Sequence, residues 1–226
     1  MSKKFKAVII DNQNDQFSRE VKELSTDVLK DGNVLVRIDY SSLNFKDALI
    51  LNNGGRIVRK YPFVPGIDFS GSVEESEDTK FKKNDKVILT GFRVGEMYFG
   101  GFSQYAKVNS DFLVKVPKDL DTFKAMKMGT AGLTALLCAF AVKAKEELLM
   151  GSKVKDVLVT GATGGVGSFA VMALSKMGYD VHAVTGKKEK NEYLKKLGAK
   201  NILDRNQFLG ESKLLEKGLW DCVVDT

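Results

Sequence analysis

The stretch "VLVTGATGGVGSFA", Val157 to Ala170, joins a short apolar run to four glycines and then to small apolar residues at helical spacing. Gly161, Gly164 and Gly167 follow the pattern G-x-x-G-x-x-G, which differs from the sharper dinucleotide fingerprint G-x-G-x-x-G. The position of the loop, between a buried strand and a helix, predicts a turn against which a pyrophosphate binds. The helix from Gly165 offers unpaired N–H groups and a positive dipole end to that phosphate. The alternative is a tight turn that needs glycine for packing alone.

The second half of the chain alternates between strand and helix patterns around this loop. Strands are predicted at "VLVT", "DVHAV", "NILD" and "DCVVDT", with helices at "GVGSFAVMALSKMG" and "KNEYLKKLG". This alternation is typical of a doubly wound parallel α/β sheet of the Rossmann type, ordered 3-2-1-4-5-6 when complete. Because the sequence stops at an apolar strand, we expect a sheet truncated after its fourth strand.

The first 120 residues have a different pattern, with short β-branched segments at "FKAVII", "NVLVRIDYSSLN", "KVILT" and "QYAKVN". After "KVPKDL" the pattern becomes helical, and Asp121 and Thr122 are candidate caps. We therefore predict a β-rich domain over residues 1–120 and a Rossmann domain over residues 121–226.

The segment after the second Rossmann strand indicates which nicotinamide cofactor binds. A site for NAD usually has an acidic residue there, which binds the ribose hydroxyls. This chain has Thr185, Gly186, Lys187 and Lys188 instead. Ammonium groups attract a 2′-phosphate that a carboxylate would repel, so NADPH is predicted over NADH. The alternative is that the lysines belong only to a solvated helix start.

Composition excludes several other classes. The chain has 35 Lys and Arg against 29 Asp and Glu, a net charge of +6 spread along the sequence without a nucleic-acid motif. Its longest apolar run, "LTALLCAFAV", is about half of the roughly 20 residues that a membrane span needs. One histidine, His182, and two cysteines inside apolar runs cannot supply the ligands of a zinc dehydrogenase. We expect no metal, no nucleic-acid or membrane partner, buried free cysteines and a cytoplasmic protein.

Five segments carry a resemblance to a known family: "SSLNFKDALI", "PGIDFSG", "LTGFRVGEMYFGGFSQYAKV", "MGTAGLTALLCAF" and "VTGATGGVGSFAV". The chain resembles the zinc-independent quinone oxidoreductase branch of the medium-chain dehydrogenase/reductase superfamily, and within it the acryloyl-CoA reductase group. "GIDFSG" stands where zinc-dependent relatives have a Gly-His-Glu motif. The resemblance implies a GroES-like catalytic domain joined to the Rossmann domain, with the active site in the cleft between them.

The resemblance also implies a reaction, in which NADPH reduces the C=C bond of a short α,β-unsaturated acyl-CoA. The alternatives are an NADPH-dependent quinone or enone reductase, and a truncated NADPH-binding protein without catalysis. Family members continue for roughly another hundred residues, and a homodimer is expected if such a C-terminal part is present. For both the acyl-CoA reductase and the quinone or enone reductase, the expected substrate is a small molecule.

Catalytic roles are implied for the N-F-K-D segment. Asn44 donates a hydrogen bond, Lys46 stabilises the enolate or contacts substrate, and Asp47 orients Lys46. A purely structural Lys46–Asp47 ion pair is the alternative. Phe45 replaces a frequent tyrosine, so no phenolic acid is expected there, and Arg93 receives no role. Thr130 maps near the nicotinamide ring, with helix capping as its alternative, and Arg205 resembles an arginine at the adenine end of NADP. The cofactor-binding residues implied are Phe45, Thr130, Thr134, Gly161, Thr163, Gly164, Gly165, Val166, Gly167, Ser168, Thr185, Gly186, Lys187 and Arg205.

Overall fold

The structure is a computed structural model that describes residues 2–14, 16–53, 57–148, 153–208 and 218–226. The chain divides into two compact units, Met1–Thr130 and Ala131–Thr226. The sequence places the boundary at residue 120, before a predicted helix, whereas the units divide within that helix. The start of the helix bonds to the first unit, since Ser70 donates to the Thr122 carbonyl at 2.7 Å and Thr122 donates to Asp39 at 3.1 Å.

The first unit is built on antiparallel strands. They are β1 (Lys4–Gln13), β2 (Gln16–Ser25), β3 (Val34–Tyr40), β4 (Asp68–Ser76), β5 (Lys86–Thr90), β6 (Tyr105–Val108) and β7 (Val114–Lys115). β1 and β2 form a hairpin, and the other strands form a sheet in the order β6-β3-β4-β5-β7. In β5 the alternation of "KVILT" buries Val87 and Leu89 completely. The predicted strands are confirmed, and β2, β4 and β7 are additional to them.

The first unit contains α1 (Phe45–Leu51) and the beginning of α2 (Thr122–Leu148), and α2 continues into the second unit. Asp121 caps α2 as predicted, because its carboxylate accepts from the Lys124 N–H at 2.6 Å. Gly129 kinks α2 with φ 45° and ψ −153°. By length and hydropathy α2 meets the criteria for a membrane span, as core helices also do, and its Ala135 and Ala139 are fully buried in the second unit.

The second unit is a parallel sheet with helices between its strands. Its elements are β8 (Asp156–Val159), α3 (Gly165–Lys176), β9 (Asp180–Thr185), α4 (Asn191–Lys196), β10 (Asn201–Asp204) and β11 (Cys222–Val224). The strand order β10-β9-β8-β11 is the predicted 3-2-1-4 order, and each pair is parallel. The predicted fold class is thus confirmed. Cys138 and Cys222 are free, as predicted, but they are half-buried rather than buried.

Candidate functional site

The glycine loop joins β8 to α3 through a tight turn, in which the Gly164 N–H donates to the Gly161 carbonyl at 2.8 Å. Gly161 has φ 51°, a left-handed conformation that suits glycine. Gly164 stands at the N-cap of α3, and no side chain caps this helix start. The backbone N–H groups of the first turn, at Gly165, Val166 and Gly167, therefore remain available to an anion.

Gly167 lets α3 approach the loop closely. A Cβ atom at Gly167 would lie 2.4 Å from the Gly161 carbonyl oxygen and 2.8 Å from the Ala162 Cα, which no side chain tolerates. Within the first turn of α3, the Ser168 hydroxyl donates to the carbonyl of Gly164, the N-cap residue, at 2.5 Å. The start of the helix is thus held against the end of β8, and the spacing of the glycines has a structural reason.

A cleft of about 530 Å³ opens beside this loop, between the carboxyl ends of β8, β9 and β10. It is lined by Thr160, Gly161, Thr163, Val184, Thr185, Gly186, Lys187, Arg205 and Phe208. Six of these residues were predicted as cofactor-binding. Thr160, Val184 and Phe208 were missed, although Thr160 and Val184 end the predicted strands and could have been found from the rule that ligands bind at carboxyl ends of parallel strands.

The cleft is cationic on the side of β9. Lys187 and Arg205 are exposed, and no carboxylate occurs among the described residues that line the cleft. Thr185 is buried, and its hydroxyl accepts from the Lys187 N–H at 3.0 Å and lies 3.5 Å from the Thr163 hydroxyl. Gly186 leaves room for Arg205, whose Nε lies 2.7 Å from where a Cβ of residue 186 would be. The arrangement favours a ligand with a phosphate beyond β9.

The N-F-K-D segment of the first unit begins α1. Asp47 is fully buried, and its carboxylate accepts from the backbone N–H groups of Asn44 and Ile67, each at 2.9 Å. Burial raises the pKa of the Asp47 carboxyl, while the hydrogen bonds from Asn44 and Ile67 act in the opposite direction. Asp47 therefore fixes the loop before α1 to the start of β4.

A second buried carboxylate, Asp68, lies beside Asp47 and was missed by the sequence analysis. It accepts from the Ser42 hydroxyl at 2.8 Å, the Ser42 N–H at 3.1 Å and the Thr130 N–H at 3.0 Å. The Asn44 amide nitrogen lies 3.2 Å from Asp68 and 3.3 Å from Asp47, so it joins the two carboxylates. An acidic residue inside the apolar run "VPGIDFSG" is the signal that could have found Asp68.

Lys46 points away from this network. Its ammonium group pairs with Glu96 at 2.9 Å, so the predicted Lys46–Asp47 pair is wrong. The reason is helical geometry, since adjacent residues on a helix do not face each other. An ammonium group has three donors, so one bond to Glu96 leaves Lys46 able to bind another oxygen.

Three further residues predicted to bind the cofactor, Phe45, Thr130 and Thr134, lie outside the cleft beside the glycine loop. Phe45 is 81% exposed at the start of α1. Thr130 donates its backbone N–H to Asp68, which agrees with a capped helix start after the kink at Gly129. Thr134 is exposed one turn further along α2, in the second unit. None of these three residues lines the cleft beside the glycine loop.

The donor sets of the described residues do not fit zinc. They contain no group of three or more His, Cys, Asp or Glu side chains that could hold a metal ion. Asp68, in the "GIDFSG" segment, accepts hydrogen bonds from the N–H and O–H groups of Ser42, Asn44 and Thr130, so both of its carboxylate oxygens are already used. The His182 Nε2 atom lies 2.8 Å from Asp156 on the neighbouring strand.

Comparison with known proteins gives matches along the whole chain. Residues 30–118 match the Alcohol dehydrogenase GroES-like domain, and residues 165–226 match the family described as Zinc-binding dehydrogenase. The acrylyl-CoA reductase AcuI of Ruegeria pomeroyi is 47% identical over 224 residues, which are 98% of this chain and 67% of that protein.

Two solved structures are similar to nearly the whole chain. The yhdH oxidoreductase from Salmonella enterica in complex with NADP has a TM-score of 0.90 and 45% identity, covering 98% of this chain and 67% of that one. The Bacillus subtilis protein yhfP with NAD bound has a TM-score of 0.88 and 41% identity, with the same coverages. The chain belongs to the medium-chain dehydrogenase/reductase superfamily, in the branch of acrylyl-CoA reductases and quinone oxidoreductases.

Proposed function

We propose that this protein reduces the C=C bond of a short α,β-unsaturated acyl-CoA with NADPH and without zinc. Its similarity to an acrylyl-CoA reductase and to an oxidoreductase in complex with NADP supports this activity. The observation that carries the choice of cofactor is the cleft beside the glycine loop. Lys187 and Arg205 line it without a carboxylate among its described lining residues.

The residues of the second unit fit a nicotinamide adenine dinucleotide phosphate. The pyrophosphate would bind at the start of α3, beside Gly164 and Gly165, where backbone N–H groups lack a capping side chain. Lys187 and Arg205 would hold the 2′-phosphate by charge-assisted hydrogen bonds. When bound, NADPH supplies the hydride for the β-carbon of the alkene.

Lys46 is the residue that we assign to the substrate's thioester oxygen, on which negative charge develops. Its side chain is 48% exposed, and its ammonium group keeps donors beyond its pair with Glu96. Asn44 is assigned a positioning role, because its amide nitrogen is used by Asp47 and Asp68. Phe45 cannot donate a proton as a tyrosine would, so a phenolic acid is absent at this position.

The first test follows NADPH oxidation with acryloyl-CoA in one cuvette and 1,4-benzoquinone in another. We expect rapid turnover of acryloyl-CoA and little of the quinone. The reverse result would replace the proposal by quinone reduction. No turnover of either substrate, with NADPH still bound, would favour a binding protein without catalysis.

The second test concerns the cofactor. Lys187→Glu should raise the KM for NADPH at least tenfold and leave the KM for NADH nearly unchanged, because the substituted carboxylate repels only the 2′-phosphate. Lys176→Glu is the matched control, since this exposed lysine lies at the end of α3 and does not line the cleft. Arg205→Ala should also weaken NADPH binding. Equal losses for NADPH and NADH would contradict the assignment.

Two broader properties complete the proposal. We place the protein in the cytoplasm, in agreement with its two free cysteines. We also propose a homodimer when the C-terminal part that the resemblance implies is present, and sedimentation of the purified protein would test it.

A further inference from the structure

A second cleft, of about 220 Å³, lies in the first unit and belongs to no site described above. Its apolar part is formed by Ile57, Phe63 and Met97, and its polar part by Arg59, Lys60, Arg93 and Glu96. Phe63 is 3% exposed and forms a fixed floor, whereas the three cations are exposed at the surface. The cleft therefore combines an apolar floor with a cationic rim.

The charges of this rim are not balanced within the described residues. Glu96 is shared by Lys46 at 2.9 Å and by Arg93 at 3.7 Å. The side chains of Arg59 and Lys60 have no ion pair or hydrogen bond with any residue that the structure describes. Like charges placed together repel each other, so this grouping favours an anion with several charges.

The backbone that carries Arg93 is strained. Gly91, Phe92 and Arg93 have φ values of 86°, 52° and 61°, and the last two are side-chain-bearing residues in the left-handed region. Phe92 is held by stacking on Phe112, with ring centroids 4.6 Å apart. Strain of this kind persists where the surroundings fix it, and it often marks a binding site. Here it places a guanidinium at the cleft.

The cleft is continuous with the segment that we assign to the substrate. Glu96 lines the cleft and also pairs with Lys46 on α1. A substrate whose reacting oxygen bonds to Lys46 therefore has the cleft as its neighbour in the same unit.

We propose that this cleft binds the phosphate-bearing tail of coenzyme A. The inference rests on the proposed function, which supplies a thioester substrate, and it adds the recognition of its carrier. The pantetheine arm lies over Ile57, Phe63 and Met97, and the phosphates bind Arg59, Lys60 and Arg93. Arginine and lysine at one rim suit phosphate groups because they offer bidentate and point-charge contacts together.

The test measures binding without turnover. Free CoA is titrated calorimetrically into the purified protein saturated with NADP⁺, so that the cofactor cleft is occupied, and pantetheine is titrated in parallel. We expect the Arg59→Glu/Lys60→Glu variant to raise the Kd of CoA at least tenfold and to leave the Kd of pantetheine within twofold. Arg93→Gln should have a smaller effect in the same direction.

A matched control changes the same charge elsewhere in the first unit, as Lys30→Glu/Lys118→Glu, and should leave the Kd of CoA within twofold. Absence of CoA binding to the unaltered protein, or equal losses in both double variants, would overturn the inference. Failure of the proposed function gives a different result, because acryloyl-CoA is then not reduced although CoA binding still depends on Arg59 and Lys60. If the protein reduces acryloyl-CoA and the Arg59→Glu/Lys60→Glu variant has the same KM for it, the inference is overturned while the proposed function stands.

Discussion

The start of α3 and the loop before α1 differ in whether a side chain accepts hydrogen bonds from their backbone N–H groups. At α3 the helix start has no capping side chain, and glycines keep the space in front of it open. Before α1, Asp47 and Asp68 accept from the N–H groups of Ser42, Asn44, Ile67 and Thr130. One region keeps donors for a ligand, and the other bonds its donors internally.

This difference separates a binding surface from a scaffold. A phosphate supplies the acceptors that the start of α3 lacks, so the geometry of this region becomes complete only with the cofactor. The two carboxylates of the first unit supply acceptors permanently, so the loop before α1 and the helix start that carries Lys46 are ordered before substrate arrives. Substitutions in the two regions should therefore have different consequences.

The largest expected effect is at Gly167. Gly167→Ala places a methyl group 2.4 Å from the Gly161 carbonyl oxygen, and backbone atoms cannot move away as a side chain could. We expect a loss of about 3 kcal/mol or more in the free energy of unfolding, measured by urea denaturation. Gly218→Ala is the control, since no atom of the described residues, its chain neighbours aside, lies within 4 Å of its Cβ position. A stable Gly167→Ala variant would show that the loop and α3 are not held as closely as described.

Asp68→Asn should have the next largest effect. The variant replaces a carboxylate oxygen by an NH₂ group among donors from Ser42, Asn44 and Thr130, and at least one buried donor then has no acceptor. We expect a loss of about 2 to 3 kcal/mol in the free energy of unfolding. NADPH binding should survive in the folded fraction. A variant as stable as the unaltered protein would mean that the hydrogen bonds of Asp68 do not stabilise the fold.

Asp47 should make the stability depend on pH. Because burial raises its pKa in the folded protein, the folded state holds this proton more tightly than the unfolded chain does. The contribution of this group to stability is therefore present at acidic pH and is lost as the pH rises through the folded pKa. Asp47→Asn, with an overall cost of about 1 to 2 kcal/mol, should be more destabilising at pH 4 than at pH 7, measured by urea denaturation. A larger cost at pH 7 would reverse the sign of the assigned shift.

The two regions also differ in how far the sequence predicts them. The glycine loop, β8, α3 and β9 were predicted because turn, cap and strand signals lie within a few neighbouring residues. Asp68 was missed because its partners, Ser42, Asn44 and Thr130, come from distant parts of the chain. The Lys46–Asp47 pair was wrong for a related reason, since proximity in sequence does not give the direction of a side chain on a helix.

A smaller and different effect is expected at Gly164, which has an extended backbone that any residue can adopt. Among the described residues other than its chain neighbours, a Cβ there meets only the Gly161 carbonyl oxygen, at 3.2 Å, and it enters the space in front of α3. Gly164→Ala should change the free energy of unfolding little, but it should weaken NADPH binding about tenfold, or about 1.4 kcal/mol, by calorimetry. Unaltered affinity would place the pyrophosphate elsewhere.

The smallest effect on stability is expected at Lys46, which lies just outside the carboxylate network. In its pair with Glu96 the Lys46 side chain is 48% exposed and the Glu96 side chain 15% exposed. Solvent reaches the ammonium side of the pair, and ion pairs open to solvent contribute about 0 to 1 kcal/mol. Lys46→Gln should therefore unfold within about 0.5 kcal/mol of the unaltered protein. Its kcat for acryloyl-CoA should nevertheless fall at least a hundredfold, as expected for removal of a donor to a developing oxyanion. Glu96→Gln breaks the same ion pair but keeps the ammonium group, so it should retain most of the kcat. Equal losses of kcat in the two variants would show that the ion pair has a structural role. A loss of kcat confined to Lys46→Gln would place Lys46 at the reacting oxygen, with Asp47 and Asp68 as the groups that order the helix start carrying it.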